Sequence, residues 1–254
     1  MASNNLNLNK IKVLSANCRG LKDKFKRYDV LNYLKDSNAD IICLQDTHLM
    51  ESVEVEFKKY WDGTYILHGE RHNARGVALL FGNNFEYTIS HIDKDSEGNM
   101  IVTDLKVGEV KIRLLNIYGP NTNNEDFYNN IAKVIDANEQ DYLIWCGDFN
   151  LVLDPQLDSN NYVTVNNPKN RNIVLHLMHE YNLIDIFRHY YPSKKRYTWH
   201  KNKPLKQARL DYFLASSCFS DLTTSIEIKP SYRSDHSILE LTFQTSNFKR
   251  CKGT

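Results

Sequence analysis

The 254-residue chain has no apolar run approaching the length of a bilayer span, so no membrane association is expected. Its first ten residues, MASNNLNLNK, lack the apolar core of a secretory signal. No Pro/Gly/Ser-rich linker, internal repeat or low-complexity block divides the chain. One domain is therefore expected over 11–244, with a flexible segment at 1–10 and a tail or the start of a linker at 245–254. The five cysteines, at 18, 43, 146, 218 and 251, are odd in number and form no CxxC. That argues against a disulfide framework and for a reducing, intracellular setting. The terminal CKGT has a cysteine at prenylation spacing, but Lys252 and Gly253 are not aliphatic. Charge of one sign is missing too: the net value is +1, so bulk composition does not announce a nucleic-acid binder.

What is present is a series of strand-like runs. IKVLSA (11–16) and VKIRLLNI (110–117) alternate approximately, while IICL (41–44) and LIWC (143–146) read as strands buried on both faces. VALLF (77–81), YTISHI (87–92), MIVTDLKV (100–107), RLDYFL (209–214) and SILELTF (237–243) extend the list. Helical spacing appears at Val30, Leu31 and Leu34. It recurs after an Asn124 N-cap at Phe127, Ile131, Val134 and Ile135, and after Asn170 at Ile173, Val174, Leu177 and Met178. The expected class is α/β, with two packed mixed β-sheets flanked by helices.

Polar residues gather where these strands end. Asn17 closes the first, and Gln45-Asp46-Thr47-His48 follows IICL. Asn116 and Tyr118-Gly119-Pro120-Asn121 follow the 110–117 strand. Asp148 and Asn150 follow LIWC, two apart and so on one side of an extended chain, with Phe149 turned to the core. Asp211 sits inside a strand, and Ser234-Asp235-His236 opens the last. Each has a local explanation. Asn17 caps a turn, Asp46 is a turn acid, Tyr118 sits at a core edge, and Asp148 with Asn150 forms an Asx turn. Asp211 pairs with Arg209, and His236 is a satisfied core histidine. Five strands delivering such groups together are the parts of phosphate chemistry: oxygen ligands for a hard cation, an orienter for water, and donors for non-bridging oxygens.

In order, SANCRG, LQDTHL, NIYGPN, CGDFN, RLDYFL and SDHS resemble the motif series of the endonuclease/exonuclease/phosphatase superfamily. The resemblance is nearest to the endonuclease domains of non-LTR (LINE-type) retrotransposons and runs from about Ile11 to about Phe243. It implies a DNase I-like, four-layer α/β sandwich, similar to apurinic endonucleases. It also implies roles. Asp46 would bind Mg²⁺ (with Mn²⁺ as a substitute), assisted by Asn17. Asp148 would orient or deprotonate the attacking water, and Asn150 would fix the phosphate and Asp148. Tyr118 would contact the scissile phosphate. Asp211 would hold the tautomer of His236, which donates to a phosphate oxygen, and Asp235 would support the site and the leaving group. One position departs: the family usually has Glu where Asp46 stands, and aspartate reaches roughly 1.5 Å less.

The basic residues gain meaning in this context. Lys194, Lys195, Arg196, Lys201, Lys203, Lys206 and Arg209 occur with no acid among them. Tyr197-Thr198-Trp199 reads as a short strand, and 200–208 as a loop returning to 209–214. In the resembling enzymes the corresponding hairpin contacts DNA. Lys195, Arg196, Thr198, Trp199, Lys201, Lys203 and Lys206 are thus expected to meet double-stranded DNA, with Trp199 stacking or anchoring the hairpin. Arg19 and Lys22 would hold the duplex on the other side. The implied activity is nicking of one target strand to leave a 3′-hydroxyl for target-primed reverse transcription, with the reverse transcriptase on the same full-length polypeptide. The implied setting is nuclear, and the isolated domain is expected as a monomer. An abasic-site repair endonuclease, a phosphatase of the same superfamily, and a catalytically weakened DNA-binding module are the alternatives.

Overall fold

A computed structural model describes residues 10–50, 54–69, 75–137, 140–162 and 166–245. The expected flexible segment up to Asn9 and the CKGT tail lie outside the described residues. β1 (Lys10–Asn17) leads through α1 (Lys24–Lys35) to β2 (Ile41–Gln45), α2 (Glu54–Phe57), β3 (Tyr65–His68) and β4 (Val77–Phe81). A meander of β5 (Thr88–Lys94), β6 (Met100–Val107) and β7 (Val110–Tyr118) follows. Next come α3 (Glu125–Asp136), β8 (Tyr142–Asp148), β9 (Ser159–Asn160), α4 (Pro168–Glu180), β10 (Leu183–Asp185) and α5 (Ile186–Tyr190). The chain closes with β11 (Trp199–Asn202), β12 (Leu205–Ala208), β13 (Asp211–Ser216), β14 (Thr223–Lys229) and β15 (Ile238–Gln244).

The strands form two six-stranded sheets, ordered β14-β15-β1-β2-β4-β3 and β10-β13-β8-β7-β6-β5, and a small sheet β11-β12-β9. In each large sheet the central pair is parallel, β1 with β2 and β7 with β8, and the other pairs are antiparallel. The period of two in a strand decides what faces what. Ile11 and Val13 of β1, Ile41 and Cys43 of β2, Ile112 and Leu114 of β7, and Ile144 and Cys146 of β8 meet in one core between the sheets. The alternate residues face outward. Leu14, Ala16, Ile42 and Leu44 pack under Leu31 and Leu34 of α1. Leu115, Leu143 and Trp145 pack under Tyr128 and Ile131 of α3 and Val174 and Leu177 of α4. The result is the expected four-layer helix–sheet–sheet–helix sandwich. Each large side chain buried this way contributes about 1.5–3 kcal/mol.

Three local expectations are corrected. Asn170 does not precede its helix: α4 starts at Pro168 behind Asn167, and a proline suits the first turn because that turn's N–H has no helical partner. Asn170 is instead buried in that turn, where its Oδ1 accepts from the Asn124 amide at 2.8 Å and its Nδ2 donates to the Thr122 carbonyl at 3.1 Å. Residues 200–208 are not an open loop. They pair as β11 and β12 from Trp199↔Ala208 to Asn202↔Leu205. Finally, Cys18, Cys43 and Cys146 are free and buried, but Cys218 is disulfide-bonded.

Candidate active site

The two parallel pairs bring four C-terminal strand ends to one edge of the sandwich. The inward row of each strand is apolar below and polar at that edge. β1 ends in Ser15 and Asn17, β2 in Gln45, β7 in Asn116 and Tyr118, and β8 in Asp148. The polar ends meet across the gap between sheets. Gln45 Nε2 donates to Asn116 Oδ1 at 2.7 Å, and Asn116 Nδ2 donates to the Leu44 and Ala78 carbonyls at 3.1 and 2.9 Å. Above this layer, Asn17 Nδ2 donates to Asp148 Oδ2 at 2.8 Å. Gln45 and Asn116 are fully buried and form the floor of the site. The sequence showed both at strand ends without a role. Their inward parity was the signal for one.

β8 ends in a sharp turn. At Gly147, with φ +132°, a Cβ would lie 2.0 Å from the Ile117 carbonyl oxygen, so only glycine fits. Asp148 Oδ1 then accepts from the Asn150 amide at 2.8 Å, an Asx turn that places Asn150 at φ +51°. Asp148 and Asn150 therefore share a side through a left-handed turn and not through a continued strand. The turn and the site are one structure. Phe149 is driven into the core against Trp145, with ring centroids 4.9 Å apart. Asn150 Nδ2 donates to the Gly119 carbonyl at 2.7 Å. That hydrogen bond ties this turn to the one after Tyr118.

β13 runs antiparallel to β8 with Asp211 opposite Asp148, so two buried carboxyls face each other. His236, just before β15, joins them. Its Nδ1 donates to Asp211 Oδ2 at 2.9 Å, and its Nε2 lies 3.8 Å from Asp148 Oδ2. Arg209 does not pair with Asp211; it is buried against Asp158 and Asp185. Burial and the neighbouring charge of Asp211 push the Asp148 carboxyl up to about 7, against the pull of His236. Burial alone would lower His236, but Asp211, Asp148 and Asp235 outweigh it and hold the imidazole up to about 9. Near neutral pH a charged histidine thus faces a carboxyl that can take up or release a proton. Burial, Asp46 and Asp148 push the Tyr118 hydroxyl upward, which keeps it a neutral donor.

Asp46 stands just past β2 at φ +51°, with Oδ1 3.0 Å from His48 Nε2. Ligand atoms of Asp148, Asp211 and His236 lie within 4.8 Å of one another. Asp211 Oδ1 is buried and has no hydrogen-bond partner among the described residues. A buried oxygen in that state, beside the Asp148 carboxyl, is donor chemistry for a hard divalent cation, and Asp46 shares the edge, since its charge and that of Asp148 both act on the Tyr118 hydroxyl.

Beside this edge lies a cleft of about 530 Å³ lined by Arg19, Trp199, Lys201, Arg233 and Asp235, among others. The Trp199 indole donates to Asp235 Oδ2 at 3.1 Å and meets Tyr162 edge-on, so this side chain anchors the hairpin. Arg19 reaches the same Asp235 oxygen at 3.6 Å and is mostly exposed. Asp235 therefore links the hairpin to the His236 turn. Ser234 secures that turn, donating from Oγ to the Asn17 carbonyl at 2.8 Å. Lys22, Lys195, Arg196, Lys201 and Lys203 are exposed, and Lys206 is half-buried with its ammonium 5.8 Å from the centre of the Tyr162 ring. Thr198, expected at DNA, is corrected to a buried position. Its hydroxyl accepts from the Leu210 and Asp211 amides at 3.0 and 3.2 Å and holds the hairpin to β13.

Residues 14–236 match a sequence model of the Endonuclease/Exonuclease/phosphatase family. The Transposon TX1 uncharacterized 149 kDa protein of Xenopus laevis is 23% identical over 236 residues, which cover 91% of this chain and 18% of that protein. The chain thus spans less than a fifth of that relative. A DNA-(apurinic or apyrimidinic site) endonuclease of Dictyostelium discoideum is 27% identical over 261 residues, covering 90% of this chain and 69% of that one. Among solved structures, an AP endonuclease from Leishmania major matches with a TM-score of 0.79 at 19% identity. That match covers 93% of this chain and 88% of the other, and the likeness is one of fold.

Proposed function

The chain belongs to the Endonuclease/Exonuclease/phosphatase family, and from that premise we propose that it is a Mg²⁺-dependent endonuclease that nicks one strand of duplex DNA. The observation that carries this reading is the gap between Asp148 and His236. A buried carboxyl held near 7 and an imidazolium held near 9 face each other across 3.8 Å, beside a basic hairpin. A water between them and the phosphorus would give its proton to Asp148 as its oxygen bonds to phosphorus. The P–O3′ bond would break on the far side, and the departing O3′ would take a proton from solvent water, leaving a 3′-hydroxyl and a 5′-phosphate, while Asp148 would return its proton to solvent. His236 Nε2 and the Tyr118 hydroxyl would donate to the non-bridging oxygens, where charge grows in the transition state. Asn17 and Asn150 would keep Asp148 aimed, each through a hydrogen bond of 2.8 Å. Asp46 and Asn17 are the residues that would hold Mg²⁺, or Mn²⁺ in its place, whose chemistry there is to neutralise charge on the phosphate and the departing oxygen.

The likeness to a much longer transposon protein supports a place in retrotransposition. There the 3′-hydroxyl primes a reverse transcriptase on the same polypeptide, at nuclear DNA. The likeness to a Dictyostelium apurinic endonuclease supports a second reading, cleavage confined to abasic sites. Nicking of supercoiled plasmid, compared with an abasic duplex, separates the two. Metal-dependent nicking of intact plasmid, lost on adding EDTA and in Asp148→Ala, is the expected result, and the nick should be extendable by a DNA polymerase. Cleavage of the abasic duplex alone would assign the protein to repair. Binding without cleavage of either would overturn the enzymatic reading.

A further inference from the structure

α1 buries Arg27, Val30, Leu31 and Leu34, yet its opposite face is aromatic. Phe25, Tyr28 and Tyr33 are 68%, 55% and 41% exposed, and Tyr232, on the loop leading to Ser234, is 41% exposed. The three helical residues fall within about 140° around the helix axis, at 100° per residue. They share one side of the helix, with Asp29 and Asn32 between Tyr28 and Tyr33. Tyr33 and Tyr232 stack with centroids 5.6 Å apart, and the Tyr33 hydroxyl donates to the Pro230 carbonyl at 3.0 Å. The loop is thereby fastened to the helix. Tyr28 also meets Tyr60 edge-on with centroids 6.4 Å apart, and the exposed sides of these rings face solvent; a cluster of exposed aromatic side chains marks a binding surface.

Cations are interleaved with the rings. The Lys24 ammonium sits 5.2 Å from the centre of Phe25, and the Arg233 guanidinium 5.8 Å from that of Tyr232. The nearby acids are engaged. Asp23 caps the helix, accepting from the Lys26 amide at 2.8 Å, and Asp29 pairs with Arg233 at 2.9 Å. Arg233 also lines the cleft beside Asp235, so the aromatic face continues into the DNA-facing cleft. We propose that this face is a stacking platform for an unpaired nucleic-acid strand where it leaves the cleft. Bases lie on Phe25, Tyr28 and Tyr232, and phosphates on Lys24 and on Arg233, whose partly exposed pair with Asp29 would be exchanged for the strand. Flat rings alternating with cations suit bases and phosphates. Aromatic residues and arginine also suit a protein interface; the strand is favoured because Arg233 joins this face to the cleft. The proposal rests on the DNA-cutting reading for the origin of the strand.

The test is fluorescence anisotropy in EDTA, with labelled oligo(dT) and an abasic sugar-phosphate strand of equal length as probes. The protein is compared with a Phe25→Ser/Tyr28→Ser variant, and Tyr33 and Tyr232, which together fasten the loop, are left in place. The platform predicts that the wild type prefers oligo(dT) and that the variant binds oligo(dT) about tenfold or more weakly. It also predicts that the variant loses the preference over the abasic strand while its melting temperature and plasmid nicking stay unchanged. Equal oligo(dT) affinity in the two proteins would overturn the proposal. So would a variant that keeps its strand binding but changes from dimer to monomer in light scattering, which would assign the face to a second copy of the chain. Binding is read without metal, so failure of the wild type to nick plasmid would sink the endonuclease reading and leave the strand-binding result standing.

Discussion

Asp211 acts through its neighbours, and an asparagine there separates its charge from its shape. Asp211→Asn keeps an oxygen for His236 Nδ1 but removes a negative charge from beside both His236 and Asp148. Asp211 raises both groups, so both fall in the variant. Activity needs Asp148 ionised and His236 charged, so both limbs of the pH–rate profile should move to lower pH. Asp148→Asn should reduce nicking about 10²- to 10⁴-fold while DNA binding persists, as expected for loss of a proton acceptor. His48 is placed to orient Asp46, with the two side chains 3.0 Å apart. His48→Ala should raise the Mg²⁺ concentration for half-maximal nicking by about 10- to 100-fold, the usual effect of removing a group behind a ligand. If Asp46→Glu loses activity and metal affinity together, the shorter aspartate is a fitted ligand. If Asp46→Ala leaves both unchanged, Asp46 holds no metal.

The hairpin is the element whose removal from DNA is easiest to read. Replacing Lys201, Lys203 and Lys206 with alanine should weaken duplex binding and flatten the dependence of log K on log salt by about 0.9 for each phosphate no longer neutralised. Unchanged salt dependence would place the DNA elsewhere. Elements differed in how far the sequence revealed them. β2 and β8 were plain because they are buried on both faces and read as unbroken apolar runs, while β1 and β7 showed by approximate alternation. Asp148 and Asn150 showed after such a run and His236 before the last strand, whereas Asp211, read as inside its strand, begins β13. Asp148 and Asn150 were open to two readings, one side of an extended chain or an Asx turn, because spacing alone does not tell a left-handed residue from an extended one; the structure has the turn. Thr198 was misplaced because the start of the hairpin is buried by β13, a tertiary packing that alternation does not encode. β14 escaped notice since its only apolar residues are Ile226 and Ile228 and a register shift between Thr223 and Ser225 interrupts the alternation. Gln45 and Asn116 were visible as residues, but their meeting across two sheets needed the topology.

At the scale of the whole molecule, the site is built at a cost to stability that pH should expose. The folded pKa of Asp148 lies above the ordinary 3.8, so its protonated form favours folding below about pH 4, and that contribution is lost as pH rises through about 7. His236 is raised from 6.5 to about 9, so its contribution is full below 6.5 and lost as pH rises through 9. The melting temperature should therefore fall between pH 6 and 9. The difference between Asp148→Asn and wild type should grow in the variant's favour from pH 5 to 8. Gln45→Leu would leave the buried Asn116 Oδ1 without the amide that donates to it, and should destabilise the sandwich by about 1–3 kcal/mol in urea unfolding. In the proposed reaction Asp148, at the end of β8, and His236, just before β15, carry phosphodiester hydrolysis in opposite protonation states. The measurement to make first is the pH–rate profile of plasmid nicking. A bell with limbs near 7 and 9, both displaced to lower pH in Asp211→Asn, is expected. A profile flat from pH 6 to 10, or one whose limbs ignore that substitution, would contradict it.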